Sequence, residues 1–193
     1  DTTLEKLATL KPAFDKRSGQ GTLTAGNSTN LSDGASAALL SSEAWAQANG
    51  KEIQAYLVDA QVAAVDFVAG EGLLMAPAWA VAQLLKRNNL KLQDFDFYEI
   101  HEAFAAQVLC TLKAWESDEF CKTKLGMDGA LGSIDRSKLN VVGSSLALGH
   151  PFAATGARIV ATAAKLLKEK GQGRVLISIC TAGGMGVAAI VER

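Results

Sequence analysis

From residue 50 onward the apolar residues of this chain fall into two alternating rhythms. Short dense runs, Ile53 to Val58, Phe95 to Ile100, Arg174 to Ile179 and Met185 to Val191, have the length and β-branched or aromatic content of strands. Between them the apolar positions recur with helical spacing. Met75-Ala76-Pro77 opens a predicted helix that carries Val81, Leu84 and Leu85 on one face. Phe104, Val108, Leu112 and Trp115 line one face of a second helix, Ala103 to Trp115. A third follows Pro151, which is expected at its first position. It turns Ile159, Ala163, Leu166 and Leu167 inward and Lys165, Lys168 and Glu169 outward, and it stops at Gly171.

The first fifty residues follow neither rhythm for long. Residues 1–30 are polar and turn-rich. A short strand is predicted over Ala35 to Leu40, then a helix over Ser42 to Ala48 that Asn49-Gly50 ends. One strand and one helix cannot bury a core, so residues 1–49 read as the tail of one domain and 50–193 as the body of another. Residues 116–138 are charged and contain Gly126, Gly129 and Gly132, which predicts an insertion or long loop. Strands alternating with helices imply an α/β layer fold with a mixed sheet.

Composition narrows the classes. Apolar residues make up 49% of the 193, and the formal charge is −1, which argues against a disordered chain and a nucleic-acid-binding surface. No apolar run approaches the roughly 20 residues of a membrane span. Cys110, Cys121 and Cys180 show no paired spacing, as in a reducing compartment.

Two of the rarest residues stand where the backbone invites chemistry. His150 lies between Gly149 and Pro151 at a predicted helix mouth. Cys180 closes an apolar strand and opens the glycine turn Thr181-Ala182-Gly183-Gly184-Met185-Gly186, where backbone N–H groups can face a ligand. A thiol and an imidazole so presented suit acyl or proton transfer on a thioester or carbonyl compound. The turn lacks the Lys-Ser/Thr of a phosphate loop, and His101, His150 and Cys180 lack the short spacing of a metal site, so no metal is expected.

Four stretches in order carry a family resemblance: Thr24-Ala25-Gly26-Asn27 with Ser32-Asp33-Gly34, His101-Glu102-Ala103-Phe104, Leu148-Gly149-His150-Pro151, and the Cys180 turn. Together they resemble the C-terminal half of a thiolase (acetyl-CoA C-acyltransferase), over essentially the whole chain. The resemblance implies a thiolase-like C-terminal domain with a mixed five-stranded sheet and helices on both faces, preceded by a remnant of the N-terminal thiolase domain. His101 in place of the commoner asparagine, the Pro77-Ala78-Trp79 segment and the 116–138 insertion are similar to the β subunit of the fatty-acid-oxidation trifunctional complex.

That likeness implies an acyltransferase that cleaves 3-ketoacyl-CoA with CoA in fatty-acid β-oxidation. CoA is then a substrate, and no other cofactor is implied. His150 would activate the nucleophilic cysteine and help hold the thioester oxygen. Cys180 would be the acid/base on the departing acetyl carbanion and the incoming CoA, provided neighbours lower its pKa. His101 would make a polar contact near the substrate carbonyl. Ala182 and Gly183 would offer backbone donors at an oxyanion hole, and Thr29 would contact the CoA pantetheine.

Implied partners are a second copy in a homodimer or homotetramer, and an α subunit carrying hydratase and dehydrogenase activities. No nucleic acid is implied. The compartment would be the cytoplasm of a bacterium or the mitochondrion of a eukaryote. Ser144 and Thr181 depart from the usual residues of the family, but neither removes a catalytic group. The nucleophilic cysteine has no counterpart here, since neither Cys110 nor Cys121 stands in a Cys-x-Ser-Gly context. The chain therefore reads as part of a longer enzyme and is expected to be inactive alone. The alternative is a non-catalytic thiolase-like module that binds acyl-CoA or stabilises a complex.

Overall fold

The computed structural model describes residues 2–193. Its centre is a four-stranded sheet in the order β1-β4-β3-β2, formed by β1 (Tyr56–Ala64), β2 (Phe97–Ile100), β3 (Arg174–Cys180) and β4 (Met185–Glu192). β4 runs antiparallel to both β1 and β3, while β2 and β3 are parallel. The sheet is mixed, as expected, with one strand fewer than the five predicted.

The strand expected over Ala35 to Leu40, in the leading segment, pairs with no neighbour among the described residues. Its exposed backbone runs beside α7 (Phe152–Lys170), where Ser36 Oγ donates to the Ala154 carbonyl. Strand-like residue types are insufficient without a ladder to join. The strand predicted at Ile53 to Val58 begins later, at Tyr56, and runs on to Ala64. A bulge between Leu57 and Asp59 resets its register against β4.

Helices cover both faces because β3 and β4 are apolar on both. Leu176, Ala188 and Ile190 pack with Val81, Leu84 and Leu85 of α3 (Ala76–Asn88) and with Val108, Leu112 and Trp115 of α4 (Ala105–Glu116). Their alternate neighbours, Val175, Ile177, Ala189 and Val191, pack with Ile159, Ala163 and Leu167 of α7. A strand buried on both sides reads as a continuous apolar run, and this is why Val175 to Ile179 showed no alternation. α3 starts close to β4: a Cβ on Gly186 would lie 2.6 Å from Pro77 Cδ.

Two expectations are corrected here. Residues 116–138, expected as an insertion or long loop, fold against the core. They hold a short helix, α5 (Asp118–Thr123), and a 3₁₀ turn at Arg136–Lys138, and they close over the α3–α4 core. Cys121 is fully buried with its thiol toward the Ala114 and Trp115 carbonyls, and Phe120 meets Trp79 edge-on at 5.3 Å. The charges occupy the outer side and mask apolar positions that face in. Pro151, expected as the first helical residue, instead takes the cap position with an extended ψ of 108°, and α7 begins at Phe152.

Residues 2–49 contribute α1 (Leu4–Ala8), α2 (Glu43–Ala48) and long irregular segments, and Ala46 is their one buried residue. α2 falls where the sequence places it, capped by Ser42 Oγ on the Trp45 N–H.

Candidate active site

The site forms at the carboxyl ends of β2 and β3, where both strands release the chain into turns. His101 directly follows β2, and its N–H donates to the Ser178 carbonyl on β3 at 2.9 Å. Cys180, two residues further along β3, therefore ends beside the His101–Ala103 turn. The two side chains leave opposite faces of the sheet. The Cys180 thiol is directed toward Gln107 Oε1 of α4 at 3.6 Å. The His101 ring turns toward α7, with its centroid 4.2 Å from that of His150.

His150 is fixed by local bonds. Its N–H donates to the Asn30 carbonyl at 2.9 Å, and its Nδ1 lies 2.6 Å from Thr155 Oγ1, one helical turn into α7. The Thr155 hydroxyl also donates to the Pro151 carbonyl. If the hydroxyl proton stays on the Pro151 carbonyl, Nδ1 is the donor to Thr155 and Nε2 keeps a free lone pair. Gly149 takes φ of +85°, and a Cβ there would meet Ser32 Oγ at 2.6 Å, so only glycine lets the chain turn into His150 at this point.

Burial sets the protonation states. The His101 ring is 1% exposed, and burial, helped by His150 and the Arg158 charge, pushes its pKa down to about 3. His150 is also lowered, by burial first and Arg158 second. Both rings are neutral near neutral pH. Burial pushes the Cys180 thiol up to about 11, although its own N–H and that of Ala103 favour the thiolate. The neighbours thus fail to lower this pKa, contrary to the condition set from sequence. Cys180 rests as a thiol with a proton to give.

The glycine turn supplies donors. Ala182, Gly183 and Gly184 have successive φ values of +28°, +66° and +74°. The N–H groups of Thr181 and Gly184 are spent on the Met185 and Leu73 carbonyls. Those of Ala182 and Gly183 donate to nothing among the described residues, and both residues are exposed. This is the arrangement of a small anion-binding turn. Thr29 is held by two hydrogen bonds. Its hydroxyl donates to the Ser145 carbonyl at 2.8 Å, and its N–H to the Ala103 carbonyl at 3.0 Å, so it staples the 27–31 segment across the site.

Sequence reasoning missed the residues that hold these groups. Ser145, at the start of the short helix α6 (Ser145–Leu148), has its Oγ 2.9 Å from His101 Nδ1. Arg158 Nη2 donates to the same Oγ at 3.2 Å. Glu102 accepts from Asn140 Nδ2 and the Leu146 N–H, fixing the loop that carries Ser145. Gln107 and Arg158 had one available signal: each is a polar residue on the inward side of an otherwise apolar helix. Among the described residues, no group of three or more His, Cys, Asp or Glu side chains could hold a metal.

Comparison with known proteins identifies the family. The family model described as the thiolase C-terminal domain matches residues 51–193, and the thiolase N-terminal domain model matches residues 1–44. The chain is 46% identical over 192 residues to a 3-ketoacyl-CoA thiolase of Shewanella loihica. It is 47% identical over 191 residues to a probable 3-ketoacyl-CoA thiolase of Caenorhabditis elegans. It spans all of itself but 43% of the Shewanella protein, and 99% of itself but 42% of the nematode one. Among solved structures, the Bacillus anthracis acetyl-CoA acetyltransferase superposes with a TM-score of 0.81 at 40% identity. Human mitochondrial 3-ketoacyl-CoA thiolase superposes at 0.78 and 31%. Each comparison covers the whole of this chain and 43% of the solved one.

Proposed function

The chain belongs to the thiolase family, and from that premise we propose that it forms the proton-transfer and oxyanion-binding half of a 3-ketoacyl-CoA thiolase. The observation that carries the reading is the meeting, at one end of β2 and β3, of a protonated thiol, two neutral imidazoles and a turn with unspent N–H donors. In thiolysis a cysteine nucleophile attacks the ketone carbon of the 3-ketoacyl-CoA. The bond between that carbon and the α-carbon breaks, and acetyl-CoA leaves as a carbanion equivalent that must gain a proton.

Each group suits a step. Cys180 holds the proton that the carbanion needs. The thiolate left behind then takes the proton of the incoming CoA thiol, and CoA carries off the shortened acyl group. His150, with Nδ1 donating to Thr155 and Nε2 free, can receive the proton of the nucleophilic cysteine. The Ala182 and Gly183 N–H groups stabilise the oxyanion on the attacked carbonyl, first the ketone and then the acyl-enzyme thioester. No metal or redox cofactor enters, and CoA is a substrate.

The nucleophile belongs outside these residues. Cys110 is exposed on α4, Cys121 is sealed under the α3–α4 core, and Cys180 is the proton carrier. We propose further that the full enzyme is of the trifunctional β-subunit type, forms a homodimer or homotetramer, works with an α subunit carrying hydratase and dehydrogenase activities, and resides in a bacterial cytoplasm or a eukaryotic mitochondrion.

The test is thiolysis of a 3-ketoacyl-CoA, followed by loss of its absorbance after CoA is added. Residues 1–193 alone should show no turnover. Turnover should appear when a segment bearing a Cys-x-Ser-Gly nucleophile completes the protein, and C180A should cut it by about 10²–10⁴-fold. CoA binding without turnover in the completed protein would instead favour a non-catalytic module. Turnover by residues 1–193 alone would place the nucleophile within them.

A further inference from the structure

Behind the site lies a set of buried polar groups that the proposed reaction leaves unused. Glu99 is fully buried on β2, and neither of its carboxylate oxygens has a hydrogen-bond partner among the described residues. Arg158 extends from α7 into the same space, near enough for its charge to act on Glu99. Its Nε and Nη1 are buried without partners, and only Nη2 is engaged, on Ser145 Oγ. His101 Nε2 is also buried and unpartnered. Such groups are costly to bury, and they call for an explanation.

Counting protons supplies one. A guanidinium can only donate, so Arg158 fills one lone pair of Ser145 Oγ. The other neighbour of that oxygen is His101 Nδ1 at 2.9 Å. Were Nδ1 to donate as well, the hydroxyl proton would have no acceptor in a side chain that is completely buried. The arrangement in which every proton has a place sends the hydroxyl proton to Nδ1. It leaves the imidazole proton on Nε2.

We propose that Arg158, acting through Ser145, fixes His101 as a neutral Nε2–H donor beside His150, and that a substrate oxygen or an ordered water completes that donor. Glu99 shares the buried space behind the site, where the Arg158 charge favours its ionised form. Ser145 and Arg158 are positioning residues, since neither touches a reacting atom. The two imidazoles then hold complementary tautomers 4.2 Å apart: His101 offers a proton at Nε2, and His150 offers a lone pair. The Thr29 bond to the Ser145 carbonyl keeps α6 in place, so the relay is tied to the 27–31 segment.

The kinetic part of this inference rests on the thiolase reading, whereas the tautomer does not. NMR of isotope-labelled imidazole nitrogens in the purified protein tests it directly. His101 should show an acceptor-type Nδ1 and a protonated Nε2 at neutral pH. S145A should lose that preference and S145T, which restores the hydroxyl, should regain it. In thiolysis assays of the completed enzyme, S145A should lower kcat by about 10- to 100-fold, with KM changed by less than about threefold. R158M should follow S145A in both readouts. A proton on Nδ1 of the wild-type ring overturns the proposal whether or not any variant folds. So does an S145A spectrum identical to wild type. The expected tautomer without any thiolysis would remove the functional reading and leave the relay standing.

Discussion

Single residues at this site carry opposite pH signatures. The Glu99 carboxyl, raised from 4.5 to about 7 by burial, stays protonated in the fold where it would ionise in the unfolded chain. Between those two values its contribution to stability falls as pH rises, because the native state holds the extra proton. His101, lowered from 6.5 to about 3, does the reverse: below 6.5 the unfolded chain gains protons first, and stability is lost as pH falls. The two trends oppose each other where their windows overlap. E99Q removes one of them, so its stability relative to wild type should improve as pH climbs from about 5 to about 8. Urea unfolding at both pH values measures this, and an unchanged difference would contradict the Glu99 assignment. The residues legible from sequence were those with rare chemistry on special backbone, namely His150 and Cys180. Ser145, Arg158 and Glu99 were not, since their roles depend on contacts 44, 13 and more positions apart that no local pattern encodes.

Elements were legible where their periodicity was long. α3, α4 and α7 came within two residues of their observed starts, because each buries an apolar face against the sheet, and α3 and α7 also carry a proline at their starts. Failures came where a partner decides the outcome. Ala35 to Leu40 has strand composition without a ladder, and 116–138 has loop composition with its apolar residues turned inward. α7 is fastened through Ile159, Ala163 and Leu167, all fully buried. Leu167→Ala should cost about 2–5 kcal/mol and lower Tm, as read by thermal unfolding. Gly186→Ala would set a new Cβ 2.6 Å from both Pro77 N and Pro77 Cδ. It should prise the start of α3 from β4 and cost at least about 1 kcal/mol, while a neutral result would show that the contact relaxes freely.

At the scale of the molecule, the α/β class, the two-sided packing and the thiolase resemblance could all be read in the sequence, while the strand count could not. β1 is a free edge with Leu57, Val58 and Val62 about half or more exposed. An edge of that kind pairs readily with another chain. Residues 1–193 prepared alone should therefore associate as concentration rises, and sedimentation should detect it. Lys at Val62 should reduce that association without changing the fold, and association unaffected by V62K would point to another surface.

The alternation along β3 and β4 reaches into the chemistry. Successive residues of these strands belong to opposite layers, and the last of them hand the thiol to the α4 side while the neighbouring β2 hands the imidazole to the α7 side. A ligand that engages both groups is in effect a crosslink between the two layers. Its binding free energy is then credited to the whole domain: saturation at about 100 times Kd should add about 2.7 kcal/mol to global unfolding. Hydrogen exchange should slow on both helices, including the faces the ligand never touches.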